Sequence, residues 1–280
     1  MNNFYNSVFR RDLFKGKVIL VTGGGSGIGR CTAFDLASCS AQVVISGRNQ
    51  EKLDKTCEEF KAQGVHVYGQ ICDIRDEDQV EELVSDILLK YGRMDGLVNN
   101  AGGQFPSPLE KISKNGWEAV IRNNLTGTFL MSKEVCNQYF INNGGAIVNV
   151  LADFRNGMPF MGHSGAARAG VDNFTKTSAI EWAKYGIRVN SVAPGIVESS
   201  GLSHYEPRVI ETARKNAVKI PLKRFSSESE IAAAIVFLLS PAASYITGAT
   251  INIDGGLSLR GHTLPLEDYR PSEVFDGFKI

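Results

Sequence analysis

The stretch VILVTGGGSGIG, residues 18–29, sets a continuous apolar run directly before a glycine-rich turn. Such a run reads as a strand of parallel sheet buried on both faces. Helical spacing takes over from Ile28 to Ser38, so the glycines join a strand to a helix. There they permit a tight turn and close backbone approach, and the helix N-terminus offers free N–H groups to a pyrophosphate. A plain turn would also use glycine, but strand–loop–helix is the context an anion-binding loop requires. The spacing is G-x-x-x-G-x-G, at Gly23, Gly27 and Gly29, rather than G-x-G-x-x-G.

The same alternation continues along the chain. QVVISGR, VHVYGQICD, MDGLVNNAG, GAIVNVLA, IRVNSVAPG and ATINIDGG read as strands two to seven. NQEKLDKTCEEFKAQG, EDQVEELVSDILLKYG, Trp117 to Asn142 and Ser164 to Tyr185 read as helices between them. Alternating strands and helices imply an α/β fold: one Rossmann-like, doubly wound parallel seven-stranded sheet with helices on both faces. No linker or repeat divides the chain. It reads as one domain over 1–280, with a core at about 14–258 and a tail at 259–280. Ile196 to Ala217 reads as polar and irregular, a lid over a site. The tail from Gly261, with Pro265 and Pro271, reads as extended and packed on a neighbouring subunit.

Thirty basic and thirty acidic residues give a formal net charge of +0. No broad field recruits nucleic acid or an anionic membrane. The longest apolar run, Ile231 to Leu239, falls short of the ~20 residues of a membrane helix. The first residues, MNNFYNSVFRRDLF, lack a signal-peptide core, and the final FKI is not of the SKL type, so a cytoplasmic location is expected. Cys31, Cys39, Cys57, Cys72 and Cys136 are scattered without a CxxC, which favours free thiols. His66, His163, His204 and His262 form no ligand cluster, and no metal is expected.

Strand two ends in SGRN. A carboxylate here would grip both ribose hydroxyls, whereas Arg48 can pair bidentately with a ribose 2′-phosphate. NADP(H) is therefore the expected cofactor, the bland alternative being a surface arginine beside a helix cap. Asp73, ending strand three, is placed either to accept from the adenine amino group or to cap the next helix.

TGGGSGIG, NNAGG (residues 99–103), NNLTGTF (123–129) and RVNSVAPG (188–195) occur in this order. Together they resemble the short-chain dehydrogenase/reductase family over about residues 14–258. The resemblance implies a homotetramer or dimer with its site at the carboxyl ends of the strands. It implies Gly23, Ser26, Ile28 and Gly29 on the pyrophosphate, and Asn100, Ala101 and Gly102 along the cofactor. Asn124 matches the family's active-site asparagine, which organises a water and a helix bend. Pro194, Gly195 and Val197 match the segment on the nicotinamide amide.

Most of the family opens its long helix with Tyr-x-x-x-Lys, preceded by a serine. The register set by AGV puts Ser164 and Arg168 at the first two positions, and Leu151, Ala152 and Asp153 at the serine's. Arg168 can still hold the nicotinamide ribose. A serine hydroxyl is a far weaker acid than a phenol, whose pKa is about 10. Ketone reduction makes an alkoxide that needs a proton. Reduction of an enoyl thioester puts hydride on the β-carbon and charge on the thioester oxygen, which needs hydrogen-bond donors.

NNAGGQF, HSGAARAGV and FLLSPAASYITG resemble the peroxisomal trans-2-enoyl-CoA reductases, and the 2,4-dienoyl-CoA reductases also lack Tyr-x-x-x-Lys. The latter keep serine at Ser164 and lysine at Arg168, with a tyrosine at Asp153. The former carry a tyrosine at Asp172. The resemblance implies NADPH-dependent reduction of the C=C of a trans-2-enoyl or dienoyl thioester such as an acyl-CoA, centred on Asn124, Ser164, Arg168 and Asp153. A carbonyl or alcohol oxidoreductase with another proton donor, and a non-catalytic NADP(H)-binding oligomer, are the alternatives. Ser164, Arg168 and Asp172 share a helix face, which allows an Arg168–Asp172 ion pair. Asp153 either caps loop N–H groups or relays a proton to Ser164. His163 reads as a packing or substrate-wall residue. GGQFPSP and RNGMPFMGH can wall an acyl chain. Arg208, Arg214 and Lys215 read as CoA-phosphate ligands or as a solvated helix face.

Overall fold

The computed structural model describes residues 7–259 and 269–278. β1 (Val18–Thr22) leads through the glycine loop into α1 (Gly27–Ser38), β2 (Gln42–Gly47), α2 (Gln50–Ala62) and β3 (Tyr68–Ile71). Then come α3 (Glu77–Tyr91), β4 (Gly96–Asn99), α4 (Lys114–Ile121), α5 (Gly127–Val135), α6 (Ile141–Asn143) and β5 (Gly145–Val150). α7 (Gly162–Trp182), β6 (Ile187–Pro194), β7 (Val197–Glu198), α8 (Pro207–Asn216), β8 (Ser226–Ser227), α9 (Glu228–Leu239) and β9 (Thr250–Ile253) follow.

All seven expected strands form, and they make one parallel sheet in the order β3-β2-β1-β4-β5-β6-β9. β7 and β8 pair separately. Every residue of β1 is buried, which is why its sequence is apolar without alternation. One core layer sets α1, α2 and α9 against the sheet; the other sets α3, α5 and α7 against it. The chain reverses direction across the sheet between β1 and β4, and ligands of such folds bind at that switch point, beyond the strand carboxyl ends.

Two expectations change. The helix expected from Trp117 begins at Lys114 and is broken by π-helical turns at Arg122–Thr126 and Cys136–Phe140. Hydrophobic spacing does not register a π turn, which inserts a residue without ending the helix. The segment expected to be irregular from Ile196 holds a 3-10 turn (Ser200–His204) and then α8, with Pro207 in its first turn. Proline fits there because the first helical N–H groups lack intrahelical partners. The described tail, 269–278, is held on its own chain. Tyr269 Oη donates to the Pro221 carbonyl (2.5 Å), Arg224 donates to the carbonyls of Ser272 and Glu273 (3.0 and 2.7 Å), and Phe278 meets Phe34 edge-on. The rest of the tail, with Pro265, lies outside the described residues.

Candidate active site

The glycine loop is tied to the end of β4. Thr22 Oγ1 donates to the Val98 carbonyl (3.2 Å) and accepts from the N–H groups of Asn100 (3.1 Å) and Ala101 (3.0 Å). The Asn100 amide reaches back to the carbonyls of Thr22 (3.0 Å) and Gly23 (3.2 Å). Gly23 and Gly27 take positive φ, +65° and +58°, where a side chain would be strained. A Cβ on Gly29 would sit 2.3 Å from Asn100 Nδ2 and 2.5 Å from the Gly23 oxygen. Ser26 precedes α1 in extended backbone without capping it through its side chain, and no acidic residue occupies the first turn. Ile28 lies in that turn, its carbonyl taken by Thr32 Oγ1 (2.8 Å). The amides that open α1 are thus left for an anion, and this cradle fits a dinucleotide pyrophosphate.

At the adenosine end, Arg48 is exposed just past β2. The next residue, Asn49, caps α2 by accepting from the Lys52 N–H (2.9 Å). Asp73 does not cap α3; Asp76 does, accepting from the Gln79 N–H. That is the reach an N-cap side chain has to the third helical residue. Arg75 instead holds the Asp73 carboxylate through Nε (2.8 and 3.1 Å) and Nη2 (2.5 Å), which pulls its pKa down to about 2, with help from the nearby charge of Arg48.

At the reaction end three segments meet. Asn124 is fully buried in the first π turn, and its amide clasps the Gly103 backbone: Oδ1 accepts from N–H (2.9 Å) and Nδ2 donates to C=O (3.0 Å). A Cβ on Gly102 would stand 2.8 Å from Asn124 Oδ1 and 3.0 Å from Arg168 Nη2, so all three come together. Arg168 reaches from α7 to the Val150 carbonyl at the end of β5 (2.8 Å). Its Nε is buried without a partner, and burial pushes the guanidinium pKa down to about 10, which still leaves it charged at neutral pH.

Ser164 is 0% exposed and donates to Gln104 Oε1 at 2.5 Å. Gln104 Nε2 in turn donates to Tyr205 Oη at 3.1 Å. His163 is buried edge-on against Phe105 with ring centroids 4.5 Å apart, and burial lowers its pKa. Its packing role is the one the geometry displays. GGQFPSP thus folds over the start of α7 through both Gln104 and Phe105.

The expected Arg168–Asp172 pair does not form. Asp172 instead accepts from Lys176, one turn further along α7, and from Thr250 Oγ1 of β9 (2.6 Å). Burial pushes its carboxyl up, but those bonds outweigh it and hold it below the usual range. Asp153 lies beyond β5 and donates its N–H to the Pro194 carbonyl (2.8 Å). The Ser164 hydroxyl is directed to Gln104 rather than to Asp153. Pro194 is buried at the end of β6, Gly195 donates to the Ile253 carbonyl (3.0 Å), and the Val197 side chain joins the core. On the segment first read as a lid, Arg214 pairs with Glu198 and Lys215 with Glu211, and all three cations first considered, Arg208 included, are exposed. Thr22, Gln104 and Tyr205 are the contributors that sequence reading missed. Gln104 lay in a loop read only as a wall, and Tyr205 in a segment read only as a lid.

The family described as Enoyl-(Acyl carrier protein) reductase matches residues 23–258. The chain belongs to this branch of the short-chain dehydrogenases/reductases and is a nicotinamide-dependent oxidoreductase. It is 35% identical over 261 residues to a peroxisomal 2,4-dienoyl-CoA reductase of Danio rerio, covering 91% of this chain and 85% of that one. It is 39% identical over 244 residues to a 3-oxoacyl-(acyl-carrier-protein) reductase of Thermotoga maritima, covering 87% and 98%. Among solved structures, a citronellol catabolism dehydrogenase (AtuB) of Pseudomonas aeruginosa PAO1 matches with a TM-score of 0.81 at 53% identity, over 91% of this chain and 100% of that one.

Proposed function

We propose that the enzyme uses NADPH to reduce the C=C of a trans-2-enoyl or dienoyl thioester, such as an acyl-CoA. The observation that carries this reading is at the head of α7. A buried serine stands where the family's phenol would be, its hydroxyl donating to a carbonyl oxygen at 2.5 Å. A serine hydroxyl is a poor acid but a good donor to an oxyanion. The bound nicotinamide supplies the hydride. Arg168 holds the ribose, Asn124 fixes the Gly102–Gly103 backbone beside it, and Arg48 receives the 2′-phosphate. Asp73 borders the adenine. Exposed Phe105, Leu109 and Phe160 offer apolar surface to an acyl chain. The family description and the dienoyl-CoA reductase relative support the same chemistry. Exposed Phe129 on α5 and Ile180 on α7 support a homo-oligomer.

A second reading, oxidoreduction of a carbonyl or alcohol, is favoured by the names of the 3-oxoacyl reductase and citronellol catabolism relatives. Steady-state assays separate the two. NADPH, and not NADH, is consumed with a medium-chain trans-2-enoyl-CoA, and Ser164→Ala lowers kcat by roughly 100-fold, the loss typical of an oxyanion donor. Turnover of the 3-ketoacyl-CoA alone would establish the second reading.

A further inference from the structure

The α-carbon of a reduced enoyl thioester needs a proton, and no phenol stands on α7 to give it. The geometry points to Tyr205, on the segment leading into α8, as the proton donor; this rests on the enoyl-thioester reading above. Gln104 is the reason. Its side-chain amide spans the site, with Oε1 2.5 Å from the Ser164 hydroxyl and Nε2 3.1 Å from the Tyr205 phenol. The three atoms O–C–N of a planar amide have nearly the shape of the O–C–Cα of a planar thioester enolate. A thioester that replaces the amide sets its oxygen on Ser164 and its α-carbon at the place of Nε2, and with its plane turned about that line it shows a π face to Tyr205 Oη, within reach of the phenol. Proton donors act at about 2.6–3.2 Å between heavy atoms.

Two further features fit. Gln104 is an exposed loop residue, whereas Ser164 is buried beneath it. Tyr205 accepts from Gln104, so the phenol's own proton is not spent on that bond. Among the other described tyrosines, Tyr269 is on the Pro221 carbonyl, Tyr68 and Tyr91 lie near Lys90, Tyr139 and Tyr185 pack against the core, and Tyr245 is fully exposed.

Hydride from NADPH forms the C–H bond at the β-carbon, and the alkene π pair moves to give an enolate held by Ser164. NADPH becomes NADP⁺. The enolate takes the Tyr205 proton at its α-carbon, and the partly exposed phenolate recovers a proton from water.

The test is Tyr205→Phe, which removes one oxygen and keeps the ring. The expected result is kcat with trans-2-enoyl-CoA lowered about 100-fold, the lower end of what general-acid catalysis contributes, with KM, NADPH affinity and Tm unchanged. In D₂O, the wild type sets one deuterium at the α-carbon in a single configuration, and Tyr205→Phe gives both configurations, as water protonates either face. Unchanged kcat, or a lowered kcat with the single configuration retained, would overturn the assignment and leave the enoyl reading standing. Absence of wild-type enoyl turnover would overturn both. Gln104→Ala, with no amide to displace, lowers KM several-fold; a raised KM would overturn the stand-in geometry.

Discussion

Gly29→Ala weakens NADPH binding by about 100-fold while leaving a folded protein. The added methyl would lie 2.3 Å from Asn100 Nδ2 and 2.5 Å from the Gly23 oxygen. Neither can yield alone. The Asn100 amide is what ties the loop to β4, through the carbonyls of Thr22 and Gly23, and Gly23 already sits at a φ of +65°. Relief therefore moves the loop that must meet the pyrophosphate. Overpacking of this kind costs about 1–3 kcal/mol, and each ~1.4 kcal/mol is tenfold in affinity. Part of the strain also appears as a Tm lower by several degrees, since about 1 kcal/mol moves Tm by 2–4 °C in a domain of this order of size. Fluorescence titration of NADPH together with thermal melts checks both. An affinity within threefold of wild type would show that the loop is not the cofactor's cradle.

Arg168→Leu separates function from stability. The guanidinium touches the Val150 carbonyl (2.8 Å) and stands against Gly102, yet its buried Nε has no partner. Losing the arginine leaves the Val150 carbonyl short of a donor, at a cost of about 1–3 kcal/mol. It also removes a poorly compensated buried cation, and such charges carry a desolvation penalty of about the same size or larger. The two offset, so Tm moves by no more than a few degrees. Cofactor binding has no such offset. A charge-assisted hydrogen bond to the ribose is worth about 1.5–3 kcal/mol, so NADPH affinity falls by roughly 10- to 100-fold. The wild-type dependence on pH follows from the same group. Burial pushes its pKa down, yet a guanidinium keeps its charge across the range in which the enzyme works. The Arg168 contribution to NADPH affinity is therefore flat from neutral pH to about pH 9. A variant that unfolds but binds NADPH at its residual folded fraction as tightly as wild type would make Arg168 structural.

The sheet was legible because its signals are local. Seven apolar runs, each ending in a turn, need no tertiary knowledge, and Asn49 and Asp76 cap their helices by reach alone. Legibility ended where partners come from distant segments. Arg168 and Asp172 share a face of α7, yet Arg168 goes to the end of β5 while Asp172 is taken by Lys176 and by Thr250 of β9. Helical spacing says which side chains are neighbours, not which neighbour wins. The π turn that buries Asn124 changes the register without changing the apolar pattern. The bridge from Ser164 through Gln104 to Tyr205 joins positions 60 and 101 residues apart in sequence. No period encodes such a meeting, and only the folded chain displays it. α8 was locally marked, with Pro207 in its first turn and Val209, Ile210 and Ala213 at helical spacing, but its charge made it read as loop.

The most direct test of alkene reduction is a competition with labelled cofactor. Equimolar trans-2-enoyl-CoA and 3-ketoacyl-CoA of one chain length are offered together with NADPH carrying deuterium at the transferred position of C4, and the products are read by mass spectrometry. Deuterium at the β-carbon of the saturated acyl-CoA, with the ketoacyl-CoA unchanged, is the predicted result. Deuterium on the carbinol carbon of a 3-hydroxyacyl-CoA, with the enoyl-CoA unchanged, would contradict it.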